Sequence, residues 1–173
     1  MVHVSNRGAN KVGHVDLIYK DKVYSYGNYD DKYRKFFQIV GEGVLFIADK
    51  EKYIPFCIKH SKKTLFCFGI KLDKQQIEQI EEKLEVLMKS AVKWDPPCIL
   101  TKEKKCDDYC SCLYKATKAR FFKFSSGKFR TYFVLGISCC DIINEFIGSS
   151  GIDFLKKSGI ISPGTYLYHL NRE

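Results

Sequence analysis

Eight cysteines and four histidines are the residues in this chain with most chemistry to offer. Ser138-Cys139-Cys140 follows an apolar strand pattern and opens an amphipathic one, which puts both thiols in the first turn of an expected helix. Unpaired N–H groups and the helix dipole favour a thiolate there and lower its pKa below the usual value near 8.5. An activated thiol also needs a base, and the base needs a third group to orient it. His3 is expected in a frayed terminus, His60 in a Lys-rich loop and His169 close to the C-terminal end. His14 differs, because it follows Gly13 and begins a strand expected inside a sheet. A neutral imidazole there can accept a thiol proton if the fold brings strand and helix together. A hydrogen-bonded structural histidine is the plain alternative.

The elements that would position these groups fall in four segments. Val12 to Tyr26 reads as a β-hairpin turning at Lys20-Asp21-Lys22, with Val15, Leu17 and Tyr19 on one face and His14, Asp16 and Ile18 on the other. GVLFIAD follows Gly41-Glu42-Gly43 as a further strand, and residues 64–72 are strand-like. Asp73 with Gln76 forms a capping-box pattern ahead of Ile77, Ile80, Leu84, Leu87 and Met88, which recur at helical spacing until Trp94-Asp95-Pro96-Pro97. From there to about Ser126 the pattern is least regular, with four cysteines and the aromatic run RFFKF. That region reads as an insertion or a substrate-facing elaboration. FRTYFVLG is an expected strand, Ser138 an expected N-cap, and Ile142, Ile143, Phe146 and Ile147 form the buried stripe of the helix after it. The chain closes on a Pro-Gly turn and a last aromatic strand or short helix.

Composition narrows the class. A chain of 173 residues with 45% apolar and 14% aromatic content can build one domain with its own core. No stretch approaches the 18 apolar residues of a transmembrane segment, and the opening MVHVSNRGANKVGHV lacks the apolar run of a signal peptide. The expected address is the cytoplasm, or the exterior by a signal-peptide-independent route. The net charge of +9 is spread in clusters such as KHSKK and KEKK, so no obligate nucleic-acid partner is expected. Without a secretion signal the cysteines are expected to be reduced. Cys98, Cys106, Cys110 and Cys112 match no zinc spacing and have no neighbouring histidine, so no metal or cofactor is expected.

Two stretches resemble a known family. GHVDLIYKDKVYSYGNYD is similar to the histidine hairpin of the NlpC-like papain-fold hydrolases, and TYFVLGISCCDIINEFIGSSGID is similar to their nucleophile segment. His14 precedes Cys139, an order that resembles the circularly permuted branch, which includes lecithin:retinol acyltransferase relatives and bacterial amidases or peptidases. The resemblance covers the first 50 residues and about the last 45. It implies an α+β fold of permuted papain type, with an antiparallel sheet packed against the cysteine-bearing helix and the long amphipathic helix. Residues of about 50–125 would be a central elaboration of this single domain.

Carried over by position, the resemblance makes Cys139 the nucleophile, with Cys140 its competitor, and His14 the general base. Its third polar member would come from Ser25, Tyr26 or Asn28. The implied activity is hydrolysis of an amide or peptide bond, a cell-wall peptide among the candidates, through an acyl-enzyme. Acyl transfer by the same pair and an inactive papain-like binding module are the alternatives. The expected partner is a peptide, amide or acyl substrate, with specificity set by the middle region and its aromatics Trp94, Phe121, Phe122 and Phe124.

Overall fold

Short β-branched and aromatic runs, broken by tight turns, make strands that pair antiparallel throughout, and helices fill both faces of the largest sheet. The computed structural model describes residues 1–4, 13–33, 39–60, 63–101, 107–134, 136–148 and 163–170, apart from the side chains of 165, 166 and 169. In chain order the first elements are β1 (Val2–Val4), β2 (His14–Val15), β3 (Leu17–Tyr19), β4 (Lys22–Gly27), β5 (Val40–Glu42) and β6 (Val44–Asp49). Next come α1 (Lys50–Lys59), β7 (Thr64–Phe66), α2 (Lys74–Lys89), β8 (Ala91–Trp94), α3 (Pro97–Leu100) and α4 (Tyr109–Thr117). The chain continues through β9 (Arg120–Phe124), β10 (Thr131–Phe133), α5 (Cys139–Phe146) and α6 (Pro163–Leu170). The architecture is α+β.

The main sheet has five strands in the order β3-β4-β6-β9-β8, flanked by a three-stranded sheet β2-β1-β7 and the pair β10-β5. Its two faces carry separate apolar clusters. On one, α5 and α2 lie over Tyr26, Leu45 and Phe124, contributing Ile142, Ile143, Phe146 and Leu87. On the other, α1 and α4 cover Val23, Val44, Phe46 and Phe121 with Tyr53, Phe56 and Leu113. Alternation along β6 and β9 divides these residues between the faces, as a sheet covered on both sides requires.

Several sequence expectations change in detail. The expected strand HVDLIY is two strands, broken at Asp16, and its halves belong to different sheets. Tyr19 pairs with Lys22, leaving Lys20 and Asp21 as a two-residue turn with both φ angles positive, at 45° and 60°. That geometry matches the right-handed twist of hairpin strands. Only Thr64–Phe66 of residues 64–72 is a strand.

The long helix has its capping box at Asp73 and Gln76, but ends at Lys89 with Ser90 as its C-cap, ahead of the prolines. Residues 91–94, expected to precede the helix stop, are edge strand β8. The supposedly irregular region supplies β9, α3 and α4, and RFFKF is β9 itself, paired between β6 and β8. Its Phe121 and Phe124 are 2% and 5% exposed, so they are sheet core, and Trp94 packs edge-on against Phe121. FRTYFVLG shortens to β10, preceded by one 3-10 turn. The aromatic ending is the helix α6.

Candidate active site

Gly13 sets the entry to β2. Its φ of +74° favours glycine, and a Cβ there would stand 2.8 Å from the carbonyl oxygen of His3. β1 then pairs with β2 so that His3 lies directly opposite His14. Side chains opposite one another on an antiparallel pair share a face, and the two rings sit edge to face with centroids 5.5 Å apart. His3, expected in a frayed terminus, is instead 1% exposed within the three-stranded sheet. Alternation returns Asp16 to the face of His14, and its backbone N–H donates to the Met1 carbonyl oxygen at 2.8 Å.

Asp16 is the group the sequence reading missed as an orienting residue. Its carboxylate has no exposed surface, with Oδ1 2.9 Å from His14 Nε2 and Oδ2 2.5 Å from His3 Nε2. Ser25 Oγ lies 2.8 Å and Tyr29 Oη 2.9 Å from the same His14 nitrogen, and the two hydroxyls bond each other at 2.7 Å. Burial raises the carboxyl pKa of Asp16, but the two imidazoles outweigh it and hold the group well below its usual 3.8. The signal for Asp16 lay in the two-residue spacing from His14. Tyr29 comes from the loop after β4, whose course no strand pattern fixes.

On the other side of the ring is the helix that carries the thiols. Ser138 caps α5: its Oγ accepts from Cys140 N at 3.3 Å, while its own N–H donates to Asp141 Oδ2 at 2.8 Å. This capping box fixes the first turn, and α5 packs against β2 and β4. Cys139 and Cys140 are both buried, at 3% and 1% exposure. Cys139 and His14 each favour the other's charged form, and with Nε2 facing three oxygens, Nδ1 is the ring nitrogen left for the sulfur.

The groups that favour a charged Cys139 are the Cys140 thiol, the His14 ring and the Val15 backbone. The contact with Cys140, together with His14 and Val15, holds the Cys139 thiol well below its ordinary range despite burial. The same contact, reinforced by burial, pushes the Cys140 thiol up. Burial disfavours a charged His14, yet the Cys139 thiolate and the Asp16 carboxylate raise its pKa to about 9. Burial and the thiolate together keep Tyr132 a phenol.

The remaining sequence candidates lie elsewhere. Tyr26 points to the face of β4 opposite Ser25, donates to the Phe129 carbonyl oxygen at 3.0 Å and packs 5.6 Å from the Tyr132 ring. It supports the thiol side of the site and not the imidazole. Asn28 lies against Gly41, where a Cβ would collide with its amide. His60 stacks on Phe56 at the end of α1. The side chain of His169 and all of Cys106 lie outside the described residues. Among the described residues there is no disulfide and no group of three metal-ligating side chains, and no helix is long and apolar enough to cross a membrane.

The arrangement can hold a thiolate against an imidazolium and pass a proton between the two. No protein-family model matches the chain, and neither a curated protein nor a solved structure matches it at a significant level.

Proposed function

We propose that the chain is a cysteine hydrolase that cleaves an amide or peptide bond through Cys139 and His14. The observation that carries this reading is the packing of α5, which begins at Cys139, on β2, which begins at His14, so that each favours the other's charged form, with Asp16 Oδ1 2.9 Å from the far nitrogen of the ring. Three groups from β2, the strand break after it and the start of α5 form a nucleophile, its proton partner and an anion that orients the partner.

In this mechanism the Cys139 thiolate attacks the carbonyl carbon, and the C=O electrons move onto oxygen. Backbone N–H groups at the start of α5, that of Cys139 among them, stabilise the oxyanion. The tetrahedral intermediate collapses as His14 gives its Nδ1 proton to the leaving amine, leaving a thioester on Cys139. Neutral His14 then takes a proton from water, and the resulting hydroxide attacks the thioester. Release of the acid restores the thiolate and imidazolium. Asp16 keeps its charge throughout and stabilises the cationic ring.

The test combines alkylation with acyl trapping. Iodoacetamide should modify Cys139 rapidly at pH 6, where ordinary thiols near 8.5 react slowly, and His14→Ala should slow it by about ten-fold or more. An activated acyl ester should leave its acyl group on the Cys139 peptide, and Cys139→Ala should abolish the adduct. Equal alkylation of the parent protein and His14→Ala across pH 5–9 would overturn the reading. Acyl exchange onto an added amine with no net hydrolysis would move it to acyl transfer.

A further inference from the structure

We propose that His3 is a positioning residue for this site: a neutral second imidazole that donates to Asp16 and keeps the carboxylate anionic and aimed at His14. The inference rests on the thiol–imidazole reading above and adds a member that reading does not use. It starts from the β1–β2 register, which places the two histidines face to face, and from the one carboxylate between them. Two imidazoles on one buried carboxylate could share its charge in several ways, and the surroundings of His3 choose between them.

The Nδ1 of His3 is buried and has no hydrogen-bond partner among the described residues. A proton there would make the ring a buried cation with an orphan donor in an enclosed site, which costs more than a bare acceptor nitrogen on a neutral ring. His3 therefore carries one proton, on Nε2, and gives it to Asp16 Oδ2 at 2.5 Å. The carboxylate gains a donor without gaining a counter-charge, so its full charge is left for His14. Were His3 an imidazolium, Asp16 would be neutralised from the wrong side and the charged form of His14 would lose its support.

The charged and titratable groups around His3 fit this state. On β2 and the break after it are His14 and Asp16; Lys63, just before β7, adds positive charge that disfavours protonation. α1 offers the Tyr53 ring, 6.1 Å away by centroids, and the Met1 amino group donates to the Asp16 carbonyl oxygen at 2.8 Å. β7 itself carries Thr64, Leu65 and Phe66, with no charge, and α6 packs on β1 with Tyr168 as its titratable side chain among those described. Burial outweighs the attraction of Asp16 and lowers the His3 pKa, in keeping with the neutral ring.

The experiment is a histidine-resolved NMR titration of the whole chain, in the parent protein and in His3→Gln and His3→Phe. Gln retains an N–H donor near the Nε2 position, whereas Phe retains ring volume without a donor. In the parent, the His3 nitrogens should report Nε2–H and bare Nδ1 from pH 6 upward, and His14 should titrate near 9. His3→Phe should lower the His14 midpoint by about one unit or more, and His3→Gln should leave it within about 0.3 of the parent.

A His14 midpoint unchanged in His3→Phe, or a parent His3 that is an imidazolium at pH 6–7, would overturn the role of His3 alone. A parent His14 midpoint near its usual value of about 6.5 would overturn the thiol–imidazole reading as well. If His3→Phe does not fold, the nitrogen spectrum of the parent and the His3→Gln titration decide the question.

Discussion

Three oxygens crowd His14 Nε2, and they differ in what they can do for a charged ring. A hydroxyl supplies a dipole, whereas the Asp16 carboxylate supplies a full charge in a site with little water to screen it. Asp16→Asn keeps the volume and removes that charge. The variant should lower the His14 pKa and cut Cys139 alkylation at pH 6 by about ten-fold. Ser25→Ala should cost only a few-fold, the scale of one neutral hydrogen bond. Rate–pH profiles of both variants beside the parent check the order, and a larger effect at Ser25 would make the hydroxyl the orienting group. His14 and the Cys139-Cys140 pair are legible from residue type and local pattern, whereas Ser25 came from the resemblance, as one of three candidates. Asp16 was legible too, since alternation puts it on the face of His14, but nothing local marks one carboxylate in an apolar strand as the partner of that ring. His3 was not, because its burial comes from pairing with β7, some sixty residues along the chain, and no local signal carries that.

At the scale of elements, the site depends on how two segments begin. β2 begins at Gly13, whose positive φ and 2.8 Å approach to the His3 carbonyl oxygen leave no place for a side chain. Gly13→Ala should destabilise the fold by about 1–3 kcal/mol and lower the thermal midpoint by several degrees. α5 begins at Ser138, and Ser138→Ala removes the acceptor of the Cys140 N–H at a cost of about 1 kcal/mol. Calorimetry measures both losses; a neutral Gly13→Ala would mean that β2 can start with another backbone. Capping residues announce themselves in sequence because their partners are two or three positions away, so α2 and α5 were placed from pattern alone. The break at Asp16 was invisible for the opposite reason: HVDLIY alternates without interruption, and only the presence of two sheets divides it.

For the molecule as a whole, the buried site ties folding to pH. Asp16 sits below its usual 3.8, so the stability it adds is complete above that value and is lost as pH falls through its native pKa. Neutral His3 adds stability above 6.5 that is lost as pH falls through its own lowered pKa. Cys139, held below 9.0, contributes a slope of the same sign up to that value. His14 opposes it, because its stabilisation is complete below 6.5 and is lost as pH rises to about 9. Between 6.5 and 9 the last two slopes cancel.

For these four groups, stability should therefore rise steeply with pH up to about 6.5 and then run level to about 9. The acid slope reaches roughly 3 kcal/mol per pH unit where the unfolded chain binds two more protons than the folded one. Urea midpoints from pH 4 to 9 check this, and a maximum below pH 6 would contradict it. The α+β class followed from element pattern and from the resemblance. The role of residues 91–124 did not: their mixed charge and cysteine content concealed two strands of the main sheet, whose aromatic core faces only make sense once helices cover both sides.

The spacing of His14 and Asp16 also bears on how this chain can change over evolutionary time. Both side chains reach one face because a single residue separates them, and Leu17 joins the larger sheet immediately after. Substitutions can accumulate on the exposed turns without disturbing that count. One inserted or deleted codon between positions 14 and 17 would send the carboxylate to the far side of the strand and displace every later residue of the hairpin. Related sequences should therefore vary in length at the turns and keep the interval from Gly13 to Leu17 fixed.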